Sequence, residues 1–195
     1  MEYLQGVIIG FGYAGVGGAI FAESGLFFGA FLPGDSLLFT VGLLASQEHF
    51  NIAILWAIVV TMAILGDNVG YMFGKMVGKR IFTKEDSFFF RKSHVLKAQT
   101  FYEAHGKKAI VMARFVPIIR TFAPIVAGVA HMEYHTFFAF NVIGGVLWGT
   151  LLLFSGYFVG QYVPNAGHYL EWIIIAIILL SILPIAIEYY RVRKK

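Results

Sequence analysis

The 195-residue chain is 58% hydrophobic and 13% charged, with a mean hydropathy of +0.74, well outside the range of soluble globular domains. It contains no Cys, which excludes a disulfide framework and a thiolate metal site. Its net charge of +4 comes from basic clusters beside apolar runs, the mark of a membrane protein's cytoplasmic face rather than of a nucleic-acid-binding surface.

Met1-Glu2 supplies no positive n-region, so no cleaved signal peptide is expected. Between Glu2 and Glu23 lie twenty residues without a formal charge, enough to cross a hydrocarbon core of roughly 30 Å. Gly10-Phe11-Gly12-Tyr13-Ala14-Gly15 matches a dinucleotide-binding fingerprint in form only, because no βαβ unit surrounds it. The next segment, Ser24–Ala45, is apolar but broken at Phe31-Leu32-Pro33-Gly34-Asp35. Pro removes a helix hydrogen bond and collides with the preceding turn. Each leg of about ten residues reaches roughly 15 Å, half the bilayer core, which predicts a re-entrant hairpin.

Asn51–Gly66 extends to about Gly74 as a second span, interrupted only by Asp67. Gly66, Gly70, Gly74 and Gly78 recur every four residues, a strip that lets another backbone approach closely, and they are read as packing rather than chemistry. Gly25/Gly29, Gly145/Gly149 and Gly156/Gly160 are read in the same way. Residues 75–108 carry nine Lys/Arg against three acids, with Phe88, Phe89, Phe90, Val95, Leu96, Phe101 and Tyr102 among them. Val95, Ala98, Tyr102 and His105 fall on one helical face and Gly106 is a natural stop, so this segment is predicted to lie on the cytoplasmic interface.

Ala109–Ala130 repeats the broken pattern around Phe115-Val116-Pro117, and a third span is predicted near Phe137–Gly160. A turn containing Pro164 follows, and a fourth span lies near Tyr169–Tyr190 before the basic tail Arg191–Lys195. Both basic clusters should be cytoplasmic, so an even number of crossings separates them; this makes Ala109–Ala130 re-entrant rather than spanning. The sequence therefore predicts an all-α polytopic membrane protein, a single membrane domain over residues 1–195. Its expected parts are about four transmembrane helices, the interfacial amphipathic segment at 75–108, and two oppositely oriented re-entrant hairpins at 24–45 and 109–130, forming an inverted repeat.

Four charges stand inside apolar sequence: Glu23, Asp35, Arg114 and Arg120. Each would cost about 2.5–3.5 kcal/mol at a helix centre. They must face each other, water or a ligand. Arg114 and Arg120 flank Pro117, so a break there would let both turn toward one point. Of six His, only His131 and His135 sit four apart, and no metal site or cofactor is expected.

Ala22-Glu23-Ser24-Gly25, Phe31-Leu32-Pro33-Gly34-Asp35-Ser36-Leu37-Leu38 and Gly66-Asp67-x-x-Gly70-Tyr71-x-x-Gly74 resemble motifs of the DedA family. So do Arg114-Phe115-x-Pro117-x-x-Arg120, Ala127-Gly128 and Asn141-x-x-Gly144-x-x-x-Trp148, the whole resemblance running from about Phe21 to Gly160. The family is also called the SNARE-associated Golgi protein or VTT-domain family. One departure is Asp35, where many members carry Glu.

The resemblance implies a multi-pass bacterial inner-membrane protein with both termini cytoplasmic, and either of two transport activities. One is proton-coupled translocation of a lipid phosphate such as undecaprenyl phosphate. The other is proton/cation antiport that supports membrane potential and pH homeostasis. It assigns substrate binding to Arg114 and Arg120, proton coupling to Glu23 and Asp35, and supporting roles to Pro33, Gly34, Asp67, Pro117 and Asn141. The expected partners are membrane lipids and protons, and the sequence allows a homo-oligomer. No nucleophile–base pair of a lipid phosphatase is visible, so no enzyme activity is expected.

Overall fold

The computed structural model describes residues 2–25, 34–77 and 92–163. All the regular elements among them are helical: α1 (Glu2–Gly25), α2 (Gly34–Ala45), α3 (Ile52–Val77), α4 (Lys92–His105), α5 (Ala109–Ala113), α6 (Pro117–Val129) and α7 (Tyr134–Tyr162). A single 3-10 turn, Gly106–Lys108, joins α4 to α5. Pro33, Gly78, the aromatic run Phe88–Phe90 and the span expected near Tyr169–Tyr190 lie outside the described residues.

Local chemistry explains where these helices start and stop. Asn51 caps α3, its Oδ1 accepting from the N–H groups of Ala53 at 3.0 Å and Ile54 at 3.2 Å. Gly106 ends α4 with φ +56°, a conformation that costs glycine little. The predicted break in the second hairpin is present. Val116 is extended (φ −120°, ψ 103°), as the residue before a proline prefers, and Pro117 opens α6 where its missing N–H is not needed.

Three boundaries move from their expected places. No Pro precedes Pro33, so α1 continues through Gly25 and takes in Ser24 and Gly25, the first residues of the segment expected as the first hairpin. Helix α3 runs to Val77 and absorbs the first residues of the segment expected to be interfacial. Helix α7 extends beyond Phe137–Gly160 at both ends, because nothing in its sequence breaks a helix before Pro164.

By length and composition, α3 and α7 are the two described helices apolar enough to cross a membrane, with mean hydropathies of 2.0 and 1.9 over their best windows. Both leave large apolar side chains uncovered, among them Leu65, Met72, Leu147 and Leu151, a surface suited to lipid rather than water. Shorter apolar helices lie at Gly34–Ala45 and Ile119–Val129. This is the architecture of an all-helical membrane protein.

The described residues divide into two compact units. The first comprises α1, α3 from Ala57, α4, α5, α6 and α7 as far as Gly149. Its core is Phe122, Ile125, Val126 and Val129 of α6, beside a second cluster of Tyr71, Ile110, Ala127, Met132 and Phe137. Tyr102 of α4 packs against both, so the segment expected at the interface docks on α6 by that residue, while Leu96 and His105 stay exposed. The glycine strip of α3 does what its spacing suggested. Gly66 faces Ser24, Gly25 and the Phe21 carbonyl of α1, and Gly74 faces the backbone of Ile125 in α6.

The second unit comprises α2, the first turn of α3 and α7 from Thr150. Gly42 of α2 meets the Leu153 carbonyl, and Gly156 meets the backbone of Phe39, so small residues again bring two helices together. Trp56 Nε1 donates to Thr150 Oγ1 at 2.8 Å.

Candidate functional site

The site lies wholly in the first unit and draws on α1, α3, the end of α5, α6 and α7. Asp67 stands on α3 one turn after Ala63, and the carbonyls of Ala63 and Ile64 point the same way. Arg114 leaves the end of α5 at the proline break. Its guanidinium Nη2 donates to Asp67 Oδ2 at 2.5 Å and to Asn141 Oδ1 of α7 at 2.5 Å, and lies 3.5 Å from the Ala63 carbonyl oxygen. Asn141 Nδ2 donates to the Ile64 carbonyl at 3.1 Å, which fixes the amide's orientation toward the arginine.

Arg120, four residues into α6 counting Pro117 as the first, forms an ion pair with Glu23 of α1. Glu23 is 2% exposed, so this acid can remain ionised only because a cation meets it. The two guanidinium carbons lie 5.9 Å (Arg114) and 5.4 Å (Arg120) from the centroid of one indole ring, that of Trp148. Both distances fall within cation–π range. Trp148 is itself 3% exposed and is the middle residue of α7, roughly 21 Å from either end at 1.5 Å per residue.

Proline geometry explains the convergence. In an unbroken helix two residues six apart would point about 120° away from each other. Here the extended Val116 re-aims the chain, so Arg114 and Arg120 reach the same ring. Gly144 completes the fit: a Cβ there would stand 3.0 Å from Arg114 Cδ and 3.2 Å from its Nε. That Nε is buried and has no hydrogen-bond partner among the described residues.

Of the residues named from sequence, the structure brings together Glu23, Asp67, Arg114, Arg120 and Asn141, with Pro117 at the break. Asp35 and Gly34 occupy the first turn of α2, in the second unit, with Asp35 half-buried. Asp67 is the carboxylate paired with Arg114.

A model of the VTT domain matches residues 32–158. "Protein DedA" of Escherichia coli (strain K12) is 47% identical over 174 residues, covering 88% of this chain and 79% of that protein. The chain belongs to the DedA family. An uncharacterized membrane protein of Mycobacterium leprae (strain TN) is 44% identical over 165 residues, 85% of this chain and 73% of its own length. "Inner membrane protein YqjA" of E. coli (strain K12) is 31% identical over 142 residues, 73% and 64% of the two chains. No solved structure matches.

Within this DedA-family chain, sequence reasoning missed the role of Trp148. The signal was present: Asn141, Gly144 and Trp148 are spaced i, i+3, i+7, one face of α7, and each touches the arginine cluster. Asp67 was likewise the one formal charge within the apolar run from Asn51 to Gly74, and so an obvious counter-ion for a buried arginine.

Proposed function

We propose that the chain is a transporter that moves a lipid phosphate, such as undecaprenyl phosphate, between the leaflets of a bacterial plasma membrane together with protons. The observation that carries this reading is the convergence of Arg114 and Arg120 on Trp148 at the middle of a membrane-length helix. Guanidinium stays charged at membrane depth and presents a planar fork that fits phosphate oxygens. Arg114 also holds one buried donor, Nε, that no described residue uses. The shorter apolar helices α2 and α6 would belong to re-entrant hairpins whose movement exposes the site to each side in turn.

Phosphate and carboxylates compete for the same cations. When Glu23 is ionised it holds Arg120; when protonated it releases the arginine to the head group. Asp35, on the first turn of α2, would be a further proton-coupling carboxylate. The site residues hold and release a head group without making or breaking its bonds, so the reading is transport and not catalysis.

The test is reconstitution of the purified chain in liposomes with labelled undecaprenyl phosphate, following its leaflet distribution with and without a pH gradient. Gradient-driven redistribution is expected. Arg114→Lys and Arg120→Lys are each expected to insert normally and keep the charge, but to weaken phosphate binding. Loss of one charge-assisted contact, about 1.5–3 kcal/mol, corresponds to roughly ten- to hundred-fold. Full activity in both Lys variants would remove the arginine fork from the mechanism. Cation-dependent pH changes in liposomes lacking the lipid phosphate would instead establish a proton/cation antiporter.

A further inference from the structure

Transport of a phosphate through this site has a charge requirement, and the ion pairs define it. Glu23 from α1, Asp67 from α3, Arg114 from the end of α5 and Arg120 from α6 meet as two ion pairs whose arginines share Trp148. Each arginine is matched by a carboxylate on a different helix, and the four sum to zero. The neighbouring titratable groups are committed elsewhere. Tyr71 donates its hydroxyl to the Met132 carbonyl, Tyr134 donates to Asn68 Oδ1 at 3.0 Å, and Tyr102 of α4 is packed on the core of α6. Asn141, the polar contribution of α7, does not titrate in this range.

We infer that Asp67 is a second proton carrier alongside Glu23, and that one phosphate-monoester dianion crosses with two protons as an electroneutral symport. The inference rests on the lipid-phosphate reading above. A head group held by both guanidiniums displaces both carboxylates from their cations. Two ionised carboxylates left beside a bound dianion, all in low dielectric, are a state that a buried site cannot sustain. One proton on Glu23 and one on Asp67 restore neutrality: two arginines carry +2, the phosphate carries −2, and the acids carry none. In the empty site the acids are ionised and the arginines neutralise them. Neither form carries net charge, so the site moves between leaflets without working against, or drawing on, the membrane potential. Protons and phosphate travel in the same direction, driven by the pH gradient and the lipid's own gradient and not by the membrane potential.

The full chain in phosphatidylcholine liposomes decides this, at an external pH near 8 where a phosphate monoester is mostly dianionic. The probe is a fluorescent polyprenyl phosphate, with entrapped pyranine reporting proton entry. Two protons per lipid are expected. A potassium diffusion potential set with valinomycin is expected to leave the initial flux unchanged to within about 20%. Asp67→Asn removes one carrier, so the ratio is expected to fall from two to one and the flux to become sensitive to the potential. Glu23→Gln is expected to do the same. The wild-type ratio and voltage response need no variant to fold. A ratio of one, or flux driven by voltage alone, in the wild type overturns the two-proton inference while leaving lipid-phosphate transport standing. An unchanged ratio of two in a folded Asp67→Asn variant removes Asp67 as a carrier. No movement of the lipid in the wild type under any gradient overturns the transport reading itself.

Discussion

Arg114 reaches the site across Gly144, and a single methyl group would test that path. Alanine at Gly144 would place its Cβ 3.0 Å from Arg114 Cδ, closer than side chains tolerate without movement. Overpacking at a buried position costs about 1–3 kcal/mol. The strain falls on the arginine stem rather than on α7, because alanine is a better helix former than glycine. Gly144→Ala is therefore expected to insert and fold, yet to lower phosphate binding by roughly ten-fold, since about 1.4 kcal/mol is a factor of ten. Binding measured by isothermal titration in detergent checks it, and wild-type affinity would show that the guanidinium tolerates a shifted stem.

At the scale of elements, the close approach of α3 to α1 and α6 sets where the acids and arginines can meet. Gly74 faces the Ile125 backbone, and Gly128 of α6 faces the Tyr71 carbonyl and the Lys75 amide, so neither helix can withdraw without opening the core. Backbone cannot rotate aside as a side chain can, so a Cβ at either position must push the helices apart. Gly74→Val and Gly128→Val are each expected to lower the melting temperature in detergent by several degrees, and to abolish transport with the arginines intact. Gly15 and Gly18 of α1 have nothing within 4 Å of a built Cβ. Alanine at either is expected to be neutral or to stabilise by up to about 1 kcal/mol, the helix-propensity gain alone. Destabilisation of the same size at all four glycines would mean that the strip has no special packing role.

For the molecule as a whole, charge placement predicts orientation. Basic residues are concentrated in 75–108 and 191–195, and both stretches are expected to face the cytoplasm. The turn after α2 is then expected to face outward. It carries Glu48 at φ 63° and leads into the Asn51 cap, an exposed connection suited to a polar phase. Because the chain has no Cys, a single Gln47→Cys substitution introduces the one reactive thiol. A membrane-impermeant maleimide is expected to label it in intact cells. Labelling only after the cytoplasmic face is opened would invert the topology.

The sequence alone was enough to show that this chain is an α-helical membrane protein, because hydropathy and Lys/Arg placement act through the bilayer and do not depend on which helices touch. It also marked the second hairpin break, since Pro117 imposes its conformation on Val116 whatever surrounds them. The resemblance implied functional roles for Glu23, Asp35, Arg114 and Arg120. Which charge meets which was beyond it. Glu23 pairs with Arg120 across 97 positions of sequence, and Asp67 pairs with Arg114 across 47, so neither partner can be read from spacing along one helix. Trp148 became visible as the shared platform only when the break at Pro117 turned two arginines toward the same face of α7. Local covalent preferences and the solvent were readable from the residues one at a time. The pairing of buried charges is a property of packed helices, and only the tertiary structure decided it.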